Sequence, residues 1–195
     1  VYKRQFYMCG IVGALGNNNA CNKSIEEMAN TLKHRGPDNF GIWSDTKNNI
    51  FLAHRRLSIL DLSNNGHQPM ISESDRYIVV FNGEIYNHID LREKYFKGYR
   101  WKSTSDTETL LASFDKWGIE KTLELLEGMF AFAVWDSHER SLNLVRDRFG
   151  EKPLFYYLGE QGIIFASELK AIESLLDSKP EIDTDSLSIF LSLSY

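Results

Sequence analysis

Apolar positions recur along this chain in two different periods. Residues 10–16 form a nearly continuous run of small and branched apolar side chains, which predicts a buried strand. Ile25, Met28, Ala29 and Leu32 fall at the spacing of one helix face and predict an amphipathic helix over residues 20–34. The segment His34-Arg35-Gly36-Pro37-Asp38 ends it, because a proline biases the residue before it away from helix. Strands are predicted over residues 40–45 and 50–60, then a loop over 61–69, then a strand over 77–81 that runs into Asn82-Gly83-Glu84. Helices are predicted over 88–95, 107–117 and 120–127, the second with Leu110, Leu111, Phe114 and Trp117 on its apolar side. Strands at 130–135, 141–146, 154–158 and 163–166 close the pattern. Strands in two batches with helices between them suit an α+β protein, two sheets packed face to face under outer helices, better than an alternating βαβ ladder.

Composition narrows the partners. The 195 residues, 43% hydrophobic and 25% charged, are enough for one substantial core or at the outer limit two small ones. With 27 acidic against 22 basic residues, a net charge of -5 and no basic cluster, nucleic acid and anionic membrane surfaces are excluded as main partners. The longest apolar run, from Met129 to Trp135, is too short to span a bilayer. Cys9 and Cys21 lack metal-ligand spacing and make no disulfide framework, which predicts a reducing, cytoplasmic setting. Residues 1–7 fit nothing downstream, and residues 1–8 are read as a non-native or removed leader. Residues 9–179 form the domain, and 180–195, ending on the apolar run Leu187, Phe190 and Leu191, begin a linker or helix into a further domain absent from this sequence.

The candidate chemistry starts at Met8-Cys9-Gly10-Ile11-Val12-Gly13. If Met8 is removed, Cys9 carries a thiol and a free α-amine, which titrate near pH ~8.5 and ~8 respectively. The amine can then take the proton of the thiol and pass it to a leaving group. A lone cysteine opening a strand is otherwise a small apolar residue. Asn82-Gly83 after a strand reads as a tight turn, or as two donors, a side-chain amide and a backbone N–H, converging on a developing oxyanion. Arg56 lies on a strand where an inward cation needs an anion, and its fork suits a carboxylate. Arg55 points to the opposite face, where a surface salt bridge explains it. Asp106 stands where a helix begins and reads as an N-cap or, with Glu84, as an anion for an amine.

These pieces occur in a fixed order with His34-Arg35-Gly36-Pro37-Asp38, Arg56-Leu57-Ser58-Ile59, Phe81-Asn82-Gly83-Glu84-Ile85-Tyr86-Asn87 and Ser105-Asp106-Thr107-Glu108. Gly128 to Ala133, Arg146 to Leu154 and Phe165 to Ala171 continue the series. From Met8 to Tyr195 the sequence resembles the glutaminase domain of glutamine-hydrolysing asparagine synthetases, class II glutamine amidotransferases. The resemblance implies an N-terminal-nucleophile hydrolase fold, an αββα four-layer sandwich. It implies that Cys9 attacks the side-chain amide of L-glutamine, that Asn82 and Gly83 hold the oxyanion, and that Arg56 binds the substrate α-carboxylate. Glu84 and Asp106 would bind its α-amine, and backbone groups of Leu57, Ser58, Ile59 and Leu60 would line the pocket. Residues 146–154 are expected to be structural, with Gly150 and Pro153 in a turn. No cofactor or metal is implied for this portion. ATP and Mg are implied for the synthetase half of the same chain, whose serine-glycine-glycine-type loop does not occur in these residues. A homodimer remains compatible. The alternatives are the same glutaminase serving another acceptor, in a polysaccharide-pathway synthetase-like protein or a phosphosugar amidotransferase, and a silent regulatory domain if Cys9 stays capped.

Overall fold

A computed structural model of the chain describes residues 8–17, 19–57, 66–160, 162–176, 178 and 181–193. One antiparallel sheet contains β1 (Gly10–Leu15), β2 (Asn39–Asp45), β3 (Ile50–Arg56), β8 (Phe155–Gly159) and β9 (Gly162–Ala166) in the order β2-β3-β1-β9-β8. The other contains β4 (Met70–Ile71), β5 (Tyr77–Ile85), β6 (Gly128–Asp136) and β7 (Ser141–Arg146) in chain order, also antiparallel. The helices are α1 (Asn22–Thr31), α2 (His88–Tyr95), α3 (Asp106–Trp117), α4 (Ile119–Leu125), α5 (Leu169–Glu173) and α6 (Thr184–Leu193).

Side-chain alternation along the strands builds three apolar layers. Ile11, Ile50 and Leu52 meet Ile78, Val80, Ala133 and Trp135 between the sheets. The alternate positions Val12, Ala14 and Ala53 pack outward under Ile25, Met28 and Ala29 of α1 and Ala171 and Ile172 of α5. On the far side Val79, Phe81 and Phe132 pack under Leu110, Leu111 and Phe114 of α3. Helix, sheet, sheet, helix is the layer order expected from the sequence.

Boundaries differ from expectation at informative places. β5 does not stop at Phe81 but runs through Asn82 and Gly83 to Ile85, so the Asn-Gly pair makes no turn. β3 ends at Arg56, and the residues beyond Leu57 that were expected to extend it, Ser58, Ile59 and Leu60, lie outside the described residues. The two-residue β4 and the five-residue α5 were not predicted, being too short to show a period. α1 is shorter than expected at both ends. Within the His34–Asp38 break, a Cβ on Gly36 would lie 2.3 Å from the Arg55 carbonyl oxygen, so this chain reversal is pressed directly onto β3. The apolar run near the end of the sequence forms α6, none of whose side chains is buried.

Candidate active site

β1 delivers Cys9 to one end of the layer between the sheets. Ile11, two residues on, points into that layer, and a strand repeats its facing every second residue. The thiol is held at Leu57, accepting from its N–H at 3.4 Å and lying 3.6 Å from its carbonyl oxygen. Arg35 Nε donates to the carbonyl oxygen of Cys9 at 3.1 Å, and Arg35 itself pairs with Glu168 at 3.1 Å. Glu168 also meets His34 and Lys170, each at 3.0 Å. Pairing of β1 with β9 stops at Val12. Beyond it Ser167 continues the ladder, its hydroxyl accepting from Ile11 N–H at 3.0 Å and its N–H donating to Ile11 C=O at 2.9 Å. Burial pushes the Cys9 thiol above its ordinary value, against the smaller opposing pull of the Leu57 amide and the Arg56 charge. The resting group is a neutral thiol, which needs a base before it can attack.

β5 supplies the opposite wall. Phe130 of β6 faces Gly83 across the ladder but directs its N–H to Asp147 Oδ2 at 3.2 Å and accepts from Asp147 N–H at 2.8 Å. Gly83 is therefore at a non-hydrogen-bonded position of the β5–β6 pair, and its N–H points to the other edge of β5. β4 covers that edge only as far as Ile78 and Val79. Past it, the Phe81 N–H is taken by Gln68 Oε1 at 2.6 Å and the Ile85 N–H by Asp106 Oδ2 at 2.9 Å. The Gly83 N–H lies between these two side-chain caps, on the wall of the pocket that Cys9 also lines. Asn82, 1% exposed, faces the intersheet layer with Nδ2 buried and without a hydrogen-bond partner among the described residues. A buried amide left so is costly unless something else uses it. Glycine at 83 follows from the close approach of β6, since a Cβ there would lie 2.3 Å from Met129 O and 2.6 Å from Phe130 Cα.

The charged residues gather at the same pocket. Arg56, Leu57, Gly83, Glu84 and Asp106 line it together with Cys9, so each expected site residue that is described, Asn82 behind the wall included, comes to one place. Ser58, Ile59 and Leu60 are outside the described residues. Asp106 is not the N-cap of α3. Ser105 caps the helix, its hydroxyl accepting from Thr107 N–H at 3.2 Å, and Asp106 turns inward from the first helical position. Burial raises its carboxyl to about 6, an effect reinforced by Glu84 and opposed by the Ile85 and Thr107 amides. Arg55 does face the other way, but instead of an acidic partner it caps α1 at Ala29 O (3.2 Å) and Asn30 Oδ1 and stacks on Phe40. The 146–154 segment stays out of the pocket. Asp147 accepts from the N–H groups of Phe149, Glu151 and Lys152, folding it into the expected turn. Sequence reading missed Gln68 and Thr107, which also line the pocket and bond to each other at 3.3 Å. The polar segment before Pro69 offered no period to mark Gln68, and Thr107 stood in a helix read only for its apolar side. No group of three or more His, Cys, Asp or Glu suited to a metal ion occurs among the described residues, and no described helix is long and apolar enough to cross a membrane.

The sequence profile of the glutamine amidotransferase domain matches residues 8–195. The chain belongs to this family. The chain is similar to asparagine synthetase [glutamine-hydrolyzing] 3 of Bacillus subtilis, 38% identical over 192 residues that cover 95% of this chain and 31% of the relative. Asparagine synthetase [glutamine-hydrolyzing] 1 of the same organism is 38% identical over 194 residues, 96% of this chain and 30% of the relative. An Arabidopsis thaliana asparagine synthetase is 40% identical over 171 residues. The amidotransferase chain thus spans under a third of these two Bacillus subtilis relatives. Among solved structures, glutamine phosphoribosylpyrophosphate amidotransferase from B. subtilis, complexed with ADP and GMP, superposes with a TM-score of 0.73 at 21% identity, over 86% of this chain and 43% of that one. At that identity the likeness is one of fold, the four-layer sandwich of two sheets between helices.

Proposed function

We propose that this amidotransferase domain hydrolyses L-glutamine to glutamate and ammonia through a thioester on Cys9. What supports the reading is the buried Asn82 Nδ2, without a partner among the described residues, next to Gly83, which lines one pocket with the Cys9 thiol. Once Cys9 is the first residue, its α-amine takes the thiol proton, directly or through a water, as sulfur bonds to the side-chain carbonyl carbon of glutamine. The carbonyl oxygen becomes negative and is met by the two donors, aimed before the charge forms. The C–N bond breaks as the ammonium proton passes to the nitrogen, ammonia leaves, and water adds to the thioester to release glutamate and the thiol. Arg56 binds the α-carboxylate through its fork, Glu84 and Asp106 bind the α-ammonium, and Leu57 lines the pocket beside them. The ammonia serves an ATP-dependent, Mg-requiring asparagine synthetase domain of the same protein, a reading supported by the names and greater length of the relatives.

Steady-state kinetics on the full-length protein processed to Cys9 test this. Cys9→Ala should abolish glutamate release and leave asparagine formation from free ammonia and aspartate intact, whereas Cys21→Ala, at an exposed thiol outside the pocket, should change neither. Asn82→Ala should lower kcat by ~10²–10³-fold, the usual loss for one oxyanion donor. Arg56→Lys keeps the charge without the fork and should chiefly raise KM. If glutamate release survives Cys9→Ala, the nucleophile is misassigned.

A further inference from the structure

His54 is the one buried histidine of the intersheet layer, 1% exposed, and the reaction just described gives it no part. It stands on β3, level with Ile11 of β1, and shares its facing with Leu52 and Arg56. From the first sheet its Nε2 reaches Phe81 O of the second at 3.1 Å. A carbonyl can only accept, so Nε2 carries the hydrogen. The imidazole is neutral, since burial, helped by the charge of Arg56, depresses its pKa to about 3 despite the Phe81 bond.

Phe81 O belongs to the peptide unit that leads into Asn82. Because β4 has ended, no strand is available to bond the polar groups of Phe81 on that edge. Gln68 takes the N–H at 2.6 Å and His54 the C=O at 3.1 Å. The thiol, meanwhile, is bonded to Leu57, three residues along the same strand run from His54. The nucleophile and the two oxyanion donors lie on different sheets, and apolar packing between sheets sets no direction. A hydrogen bond does.

We infer that His54 is a positioning residue for glutamine hydrolysis, fixing the Asn82–Gly83 donors of the second sheet relative to the Cys9 thiol of the first through its bond to Phe81 O. The inference rests on the glutaminase reading above. It does not make His54 a proton carrier: the imidazole touches neither thiol nor substrate.

The test compares glutamate release by the full-length, processed protein with that of His54→Ala, His54→Gln, His54→Asn, Asn82→Ala and the His54→Ala/Asn82→Ala double variant, alongside denaturant melts of each. His54→Ala should lower kcat roughly ten- to a hundredfold, the scale expected when a reacting group shifts by about an ångström, with KM within about twofold because the carboxylate and ammonium contacts remain. Glutamine can bring its amide nitrogen near the Nε2 position, so His54→Gln should recover most of the rate; asparagine is too short and should not. In the Asn82→Ala background, where the principal donor is gone, losing His54 should cost only a small part of its single effect. An unchanged kcat in His54→Ala, equal rates for the Gln and Asn variants, or a loss of the same size in both backgrounds would each overturn the inference while leaving the glutaminase reading standing. Should His54→Ala fail to accumulate, the Gln and Asn pair decides alone. Wild-type protein that releases no glutamate overturns the glutaminase reading, and this inference with it.

Discussion

Asp106 carries two opposed demands in one carboxyl group. It is 4% exposed, and burial lifts its pKa from the ordinary 3.8 to about 6. As an acid whose folded pKa lies above its unfolded one, it binds more protons folded than unfolded, so it lowers stability as pH rises from near 3.8 through about 6. The same ionisation supplies the negative charge proposed for the substrate ammonium. KM for glutamine should therefore rise as pH falls below about 6 with little change in kcat. Asp106→Asn should flatten that rise, weaken glutamine binding at neutral pH, and make the substrate-free protein harder to unfold in urea at pH 7.5 but not at pH 4. Were the variant no more stable than wild type at pH 7.5, the carboxylate would not be paying the desolvation penalty argued for it. At this scale the sequence was informative because polar residues in apolar surroundings stand out: Cys9, Arg56, Asn82, Glu84 and Asp106 were all legible. His54, on the same face as Arg56 two residues earlier, carried the same signal and was passed over, since a buried histidine bonded to one carbonyl is common. Gln68 gave no signal, because its role depends on where β4 stops.

At the scale of elements, periodicity located nearly every helix and strand; beyond the elements too short to show a period, the misreadings at Asn82-Gly83 and Asp106 share a cause. Local rules see a residue and its chain neighbours, whereas Asn82-Gly83 and Asp106 are decided by elements far away in sequence. An Asn-Gly pair favours a tight turn in isolation, yet β6 pairs with β5 without a break through both residues. The glycine is required by that contact. Gly83→Ala would push a Cβ against the backbone of Met129 and Phe130, which a side-chain rotation cannot relieve. We expect it to destabilise the domain by about 1–3 kcal/mol, the usual range for overpacking, and to depress kcat by displacing the donor. Chemical denaturation and glutamine kinetics on the same preparation would show both effects; normal values of each would mean that β5 and β6 part more easily than their pairing suggests.

For the molecule as a whole, the two-batch arrangement of strands was enough to specify four layers, since each sheet must cover both of its apolar faces. Which sheet each strand joins was not legible. β8 and β9 return to the first sheet beside β1, although they follow β7 of the second in the chain. That return brings Ser167 and Glu168, just past β9, to the start of β1. There they bond Ile11 and, through Arg35, the carbonyl oxygen of Cys9. Together with the bonds from Leu57 to its sulfur, Cys9 is thus gripped at two points, and none of these bonds uses its nitrogen. On the proposed mechanism the bond before Cys9 is cut, and none of the bonds that hold its sulfur and carbonyl oxygen would be lost with that cut. Melting temperatures measured before and after removal of the preceding residues should agree within about 2 °C, a difference of well under 1 kcal/mol for a domain of this size. A larger drop would mean that the residues before Cys9 take part in the fold.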